Sequence, residues 1–206
     1  MTHVSLAVIK VGGSLFDWPE LPVRLANFVE VHFPIGGVER PMLIAGGGPA
    51  ADLVRDLDRI HRLGDETAHH LALHAMDLTA LLLSAIVPGV NLIDSLESVG
   101  GALAHGLVPV LAPRRTICAI EQSEDAPFPA SWAVTSDSIA ARIAAHAKAS
   151  RLILLKSASV GCNATVHEAA RAGLVDPFFP EAARCLPRVE YLNLRDPTAQ
   201  LQGLLP

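Results

Sequence analysis

Val4-Ser5-Leu6-Ala7-Val8-Ile9-Lys10-Val11 runs straight into Gly12-Gly13-Ser14. A short, β-branched, almost wholly apolar run stopped by two glycines reads as a strand buried on both faces. Such a strand has helices on either side, which predicts a parallel sheet. Residues 42–45 repeat the pattern, ending in Gly46-Gly47-Gly48, and Pro49 then suits the first turn of a helix.

Outward from these two strands, apolar residues recur at helical spacing over 21–31 and from Pro49 to about Ile60. Asp65 caps a long helix that ends before Pro88. Residues 91–94 and 107–111 read as short strands separated by a helical segment. The stretch 113–132 is polar and proline-containing, with Glu121, Glu124 and Asp125 close together, and reads as a hairpin or mobile loop. Thr135-Ser136-Asp137 caps a helix running to about Lys148. Residues 151–155 and 189–194 are further strands, and Pro197 opens a closing helix. Strands alternating with helices predict one α/β domain over residues 1–206, with a mainly parallel, doubly covered sheet.

Composition bounds the function. Of 206 residues, 50% are hydrophobic but only 4% aromatic, so Leu, Ala, Val and Ile must build the core. A net charge of −5 argues against a general nucleic-acid or anionic-membrane binder. Cys118, Cys162 and Cys185 are widely spaced, without a CxxC pair, which indicates neither a zinc site nor a disulfide framework. The N-terminus does not read as a signal peptide. The most apolar stretch, 71–87, carries His74 and Asp77 and is shorter than a comfortable membrane span. These features predict a cytoplasmic protein.

Ligands of such sheets bind beyond the carboxyl ends of the strands. Three ends are chemically loaded here: Lys10 with Gly12-Gly13-Ser14, Gly46-Gly47-Gly48, and Lys156-Ser157. Glycines at a strand end let backbone N–H groups approach phosphate oxygens, and a following helix adds its positive end. The chain has three lysines, Lys10, Lys148 and Lys156, against thirteen arginines. Two of the three end apolar strands, where a compact ammonium suits a moving phosphoryl group; the plainer alternative is a snorkelling strand-end side chain. Lys148, near a helix C-terminus, is explained by the helix dipole. Asp137 reads equally as a first-turn helix acid and as a group that orients two lysines. Neither GxxxxGK[ST] nor GxGxxG is present.

Val8-Ile9-Lys10-Val11-Gly12-Gly13-Ser14, Ala45-Gly46-Gly47-Gly48-Pro49 and Thr135-Ser136-Asp137 with Ala140 and Ala141 resemble, in order and spacing, three motifs of the amino-acid kinase superfamily. The resemblance implies an open αβα sandwich and transfer of phosphate from ATP, with Mg²⁺ held mainly by nucleotide phosphates. It implies catalytic roles for Lys10, Asp137 and Lys156, and ATP contacts from Lys10, Gly12, Gly13, Ser14, Lys156 and Ser157. Acceptor contacts are implied for Gly46, Gly47, Gly48, Ser131 and Thr135, and no protein metal ligand is implied. Relatives often continue after the later strand with Thr-Asp and Asp-Gly-Val, where this chain has Lys156-Ser157-Ala158-Ser159-Val160-Gly161. Many also carry a later ATP-site lysine, whereas no lysine follows Lys156 and no arginine is expected at a comparable strand end. Either Lys156 takes over that role or nucleotide handling is weak.

Ala68-His69-His70-Leu71-Ala72, Ala75-Met76-Asp77, Ser131-Trp132 and Leu154-Leu155-Lys156 are similar to one subgroup, the kinases of methanofuran-type cofactor synthesis. That likeness implies an acceptor bearing both a phosphate and an amine, the amine suiting the acids around 121–125. His69, His70 and His74 read either as acceptor contacts or as core or interface histidines. The alternatives are a uridylate-kinase-like enzyme, a nucleotide or metabolite sensor without turnover, and a structural subunit. The helix beginning at Asp65, apolar on more than one face, predicts a homodimer or a larger even oligomer.

Overall fold

β1 (Ser5–Val11) is the middle strand of a seven-stranded sheet in the computed structural model, which describes residues 5–123 and 128–206. The other strands are β2 (Glu39–Ala45), β3 (Val90–Ile93), β4 (Val108–Leu111), β5 (Arg151–Lys156), β6 (Val189–Asn193) and β7 (Gln202–Leu204). Their spatial order is β3-β4-β2-β1-β5-β6-β7, and every neighbouring pair is parallel except β6 and β7. The chain winds outward from β1 in both directions, so the carboxyl ends of β1, β2 and β5 meet at the switch point.

The helices are α1 (Leu21–His32), α2 (Gly48–His61), α3 (Asp65–Ile86), α4 (Val99–Ala104), α5 (Pro113–Ser123), α6 (Ser136–His146), α7 (Val166–Arg171) and α8 (Phe179–Ala182). The strand period of two sorts the core. Ala7, Ile9 and Val11 join Ile153 and Leu155 under α1, with Leu21, Leu25 and Phe28. Val8, Leu152 and Leu154 face the opposite side, with Ile139, Ile143 and Ile117 of α6 and α5. By the same alternation Lys10 and Lys156 emerge toward α6. Arg151, at the amino edge of β5, bridges Glu39 of β2 (2.5 Å) and Glu190 of β6 (2.7 Å), spanning four neighbouring strands. That stitch fixes the strand register from the end opposite the switch point.

Two segments depart from the sequence expectation. Within the expected hairpin, residues 113–123 form a helix whose Pro113, Ile117 and Ile120 are buried at helical spacing. Proline at the first helical position lacks only an N–H that has no partner there anyway. Glu124 and Asp125 lie outside the described residues. The closing helix expected at Pro197 is a turn: Asp196 accepts from Thr198 N (2.8 Å) and Thr198 Oγ1 (2.7 Å), and the chain returns as β7, antiparallel to β6. This local aspartate bond offers the backbone a turn in place of a helix.

By length and composition α3 is apolar enough to cross a membrane. Here Leu73 and Met76 pack on the α6 side of the sheet and Ala80 and Leu83 on the α1 side. Its Asp77 accepts from Arg114 N (3.1 Å) and Nε (3.0 Å). Leu71, Leu78, Leu81, Leu82 and Ile86 remain exposed, as do Leu53, Leu57 and Ile60 of α2, a helix with no buried residue.

Candidate active site

Asp137 stands between two lysines. Its Oδ1 is 2.8 Å from Lys10 Nζ, and its Oδ2 is 2.7 Å from Lys156 Nζ. Lys10 thus holds one carboxylate oxygen at ion-pair distance, and Lys156 donates to the other. Three elements supply the cluster: Lys10 is the penultimate residue of β1, Lys156 ends β5, and the first turn of α6 lowers Asp137 between them.

Burial alone would push the Asp137 carboxyl up, but the charges of Lys10 and Lys156 together outweigh it and hold its pKa at about 2. Lys156 is pulled down to about 8, first by burial; Asp137 opposes that shift and Lys10 adds to it. Lys10 and Asp137 are 2% and 4% exposed, so Lys156 is the more open of the two cations.

The two glycine turns pack back to back. A Cβ on Gly13 would fall 2.6 Å from Gly48 N and 2.8 Å from Gly48 Cα, and one on Gly48, itself at φ +51°, would fall 2.8 Å from Gly13 O. No side chain fits there. Gly12 has a different duty from the one its resemblance implies. Its amide donates to Leu155 O at 2.8 Å and is engaged in the sheet, leaving the lack of a Cβ beside that same oxygen as its contribution. Ser14 and Ser157 join the β1 and β5 ends through their hydroxyls at 2.7 Å.

An arginine does occupy a comparable strand end. Arg195, just beyond β6, donates to Ser14 O at 2.7 Å, pairs with Asp17 and lies 5.7 Å from the Trp18 ring centroid. It tethers the loop after β1 from the β6 side.

On the other flank of the glycine turns a cavity of about 380 Å³ opens. Gly13, Gly47, Gly48, Thr135, Arg55 and Trp132 contribute to its walls, with His69 and Met76 from α3. Arg55 lies 4.5 Å over the Trp132 ring and bonds Asp52 at 3.0 Å, while Trp132 Nε1 donates to Asp58 Oδ2 at 2.9 Å. Burial, then neighbouring His70, lowers the pKa of His69, which makes it a neutral polar contact rather than a cation. His70 and His74 are exposed.

The expected acceptor residues thus divide. Gly47, Gly48 and Thr135 line the cavity. Gly46 backs onto Gly13 with its amide bonded to Val11 O, and Ser131 uses its hydroxyl to accept from Ala133 N at 3.2 Å. Sequence reasoning missed Arg55, Asp52 and Arg195, although Arg55 falls two turns beyond Gly48 and Arg195 lies two residues beyond the last parallel strand.

The sequence model of the Amino acid kinase family matches residues 5–160. The chain is 27% identical over 133 residues to the [5-(aminomethyl)furan-3-yl]methyl phosphate kinase of Methanocaldococcus jannaschii; the match spans 64% of this chain and 56% of that protein. In fold it is similar to a UMP kinase from Ureaplasma parvum, with TM-score 0.65 and 15% identity over 98% of this chain and 99% of that one. It is also similar to an aspartate kinase from Synechocystis, with TM-score 0.64 and 16% identity over 98% of this chain and 40% of that one. Matched by the family's model over three quarters of its length, with both glycine turns, Lys10, Asp137 and Lys156 inside the match, the chain belongs to the amino acid kinase family.

Proposed function

We propose that the chain is an ATP-dependent phosphotransferase acting on a small, already phosphorylated metabolite, and that this acceptor is [5-(aminomethyl)furan-3-yl]methyl phosphate, converted to its diphosphate. The observation that carries the reading is the Lys10–Asp137–Lys156 bridge at the meeting point of two glycine turns. Two ammonium groups held at one point suit the negative charge that spreads over a phosphoryl group in transfer.

An oxygen of the acceptor phosphate attacks the γ-phosphorus of ATP, a new P–O bond forms, the bond to the bridging oxygen breaks, and ADP leaves. A phosphate monoester is largely ionised near neutrality, so no base is needed to activate it. Asp137, with its pKa at about 2 and both oxygens on lysines, is unsuited to that task and acts by orientation. Ser14, Ser157 and Arg195 form the donor side, and Arg55 with the Gly47–Gly48 turn offers the acceptor phosphate a cation and backbone amides. Trp132 and Met76 supply a flat apolar wall for a furan ring, and Asp52 is an acid for its amine.

Mg²⁺ on the nucleotide phosphates would neutralise part of their charge. Among the described residues no group of three His, Cys, Asp or Glu side chains is placed to hold an ion. We place the enzyme in the cytoplasm, where ATP and phosphorylated metabolites are both at hand. The exposed apolar faces of α2 and α3 are read as the contact between two copies of the chain.

The specific acceptor is supported by the name of the relative at 27% identity. A uridylate-kinase-like acceptor is the second reading, supported by the shared fold. ADP release with MgATP and either [5-(aminomethyl)furan-3-yl]methyl phosphate or UMP tests both. We expect turnover with the furan phosphate to exceed that with UMP at least about 100-fold, the discrimination a ring-specific pocket can reach. Equal or higher UMP turnover assigns the second reading; ATP binding with no turnover of any phosphorylated acceptor leaves a sensor and refutes the kinase.

A further inference from the structure

Asp176 lies between α7 and α8, outside the stretch matched by the family, and is 6% exposed. Its Oδ2 accepts from Thr135 N (3.0 Å), Thr135 Oγ1 (2.9 Å) and Ser138 N (3.0 Å), and its Oδ1 accepts from Ser138 Oγ (2.5 Å). Two backbone amides and two hydroxyls thus converge on this one side chain.

Helix α6 begins with Thr135 as its N-cap, yet the Thr135 side chain caps none of the helix's own amides. The first-turn amide that such a cap would satisfy, Ser138 N, is taken by Asp176 from 38 residues downstream. A second tie runs the same way, with Phe178 N donating to Ala133 O at 3.2 Å.

The clamped residues, Thr135 and Ser138, bracket Asp137. That carboxylate must set one oxygen on Lys10 and the other on Lys156, at 2.8 and 2.7 Å. A slip or fraying of the first turn of α6 would break one contact or both. Helix ends fray where their amides lack partners, and here the partner of Ser138 N is supplied by one distant residue.

We propose that Asp176 is a positioning residue for phosphoryl transfer, clamping the first turn of α6 so that Asp137 holds Lys10 and Lys156 in place. It touches no reacting group. The proposal rests on the kinase reading for its effect on turnover, but not for its effect on the lysines. The charged and titratable groups facing Lys156 are Asp137 from α6, Lys10 from β1 and Asp176 itself, whose negative charge helps Lys156 keep its proton. Tyr191 of β6 also senses Asp137.

With only three lysines in the chain, ¹³C-lysine labelling lets NMR follow each ammonium through its titration. Asp176→Asn keeps the shape, removes the charge and turns an NH₂ toward former donors. We expect the Lys156 midpoint to fall by about 0.5–1 unit, the effect of losing one nearby charge. With the acceptor that wild type turns over, kcat should fall about 10–100-fold while KM for MgATP changes less than about threefold, the pattern of lost orientation. Ser138→Ala, which deletes the shortest bond and keeps the charge, should lower kcat a few-fold with the Lys156 midpoint in place; it carries the test, with Asp176→Glu, if Asp176→Asn does not fold. An unmoved Lys156 midpoint in Asp176→Asn, or loss of Tm with normal kcat in the folded fraction, overturns the proposal. Absence of wild-type turnover with every acceptor refutes the kinase instead, and the titration then decides the role of Asp176 alone.

Discussion

Lys156 Nζ sits 2.7 Å from Asp137 Oδ2, on the carboxylate oxygen that Lys10 does not use. The two cations therefore do not compete for one acceptor atom, and either can be removed with the other left paired. Lys156→Met keeps the stem's bulk and deletes the charge. We expect kcat to fall by about 10²–10³, the usual cost of one preorganised electrostatic contact, with ATP affinity changed much less. Single-turnover kinetics with saturating MgATP measure this; an unchanged chemical rate would make Lys156 an ordinary strand-end lysine.

The lowered pKa of Lys156 predicts opposite pH trends for activity and stability. In the folded chain the ammonium loses its proton near pH 8, and in the unfolded chain near the usual 10.5. Between these values the unfolded state binds more protons, so the group's contribution to stability rises with pH across that window. Activity that needs the charged form falls as pH passes about 8. Denaturant melts and kcat profiles over pH 7–11 should show the two trends in wild type and neither in Lys156→Met. At the acid end Asp137 acts in the familiar sense: its contribution is whole above about 3.8 and is lost as pH falls through about 2.

Arg55 is the cation on the acceptor side, above the Trp132 ring and beside the cavity. Arg55→Ala should raise KM for the phosphorylated acceptor about 10–100-fold, because charged hydrogen bonds to phosphate are among the stronger ones. KM for ATP should stay within about twofold. If both constants rise together, Arg55 serves the nucleotide or the fold, and the assignment of the two flanks is reversed.

The apolar residues left exposed on α2 and α3 predict assembly. Light scattering at micromolar concentration should give at least twice the 21.8 kDa of one chain. Leu78 and Leu81 are 57% and 53% exposed, and Leu78→Glu with Leu81→Glu should return the monomer without loss of fold, since charge there meets only water in a single chain. Monomeric mass in the wild type would overturn the dimer.

The parts of this site that follow from period-two strands were legible in the sequence. Lys10 and Lys156 each continue an alternation fixed by their own strand, so their common direction toward α6 is a local property. Asp137 carried two readings because both need an acid in the first turn, and only tertiary contact separates them. Asp176 and Arg195 were illegible for a related reason. Each lies in a connection whose local pattern is a turn, and its partner is 38 or 181 residues away in sequence. Pro113 and Pro197 show the limit of proline as punctuation. One starts a helix and the other sits in an aspartate turn, and the neighbouring apolar spacing or side-chain bond decides which.

The contact between Gly13 and Gly48 bears on how such a protein could change its substrate. Two turns that meet backbone to backbone, with no room for a single added carbon, constitute one part rather than two. Neither can drift without a matching shift in the other, so this seam is closed to gradual exploration. The cavity's outer wall is open to it: Arg55 and Trp132, which stack on one another, come from a surface helix and a loop, and His69 comes from a second helix. Diversification within this architecture is therefore channelled to the rim of the acceptor pocket, with the phosphate seam inherited unchanged.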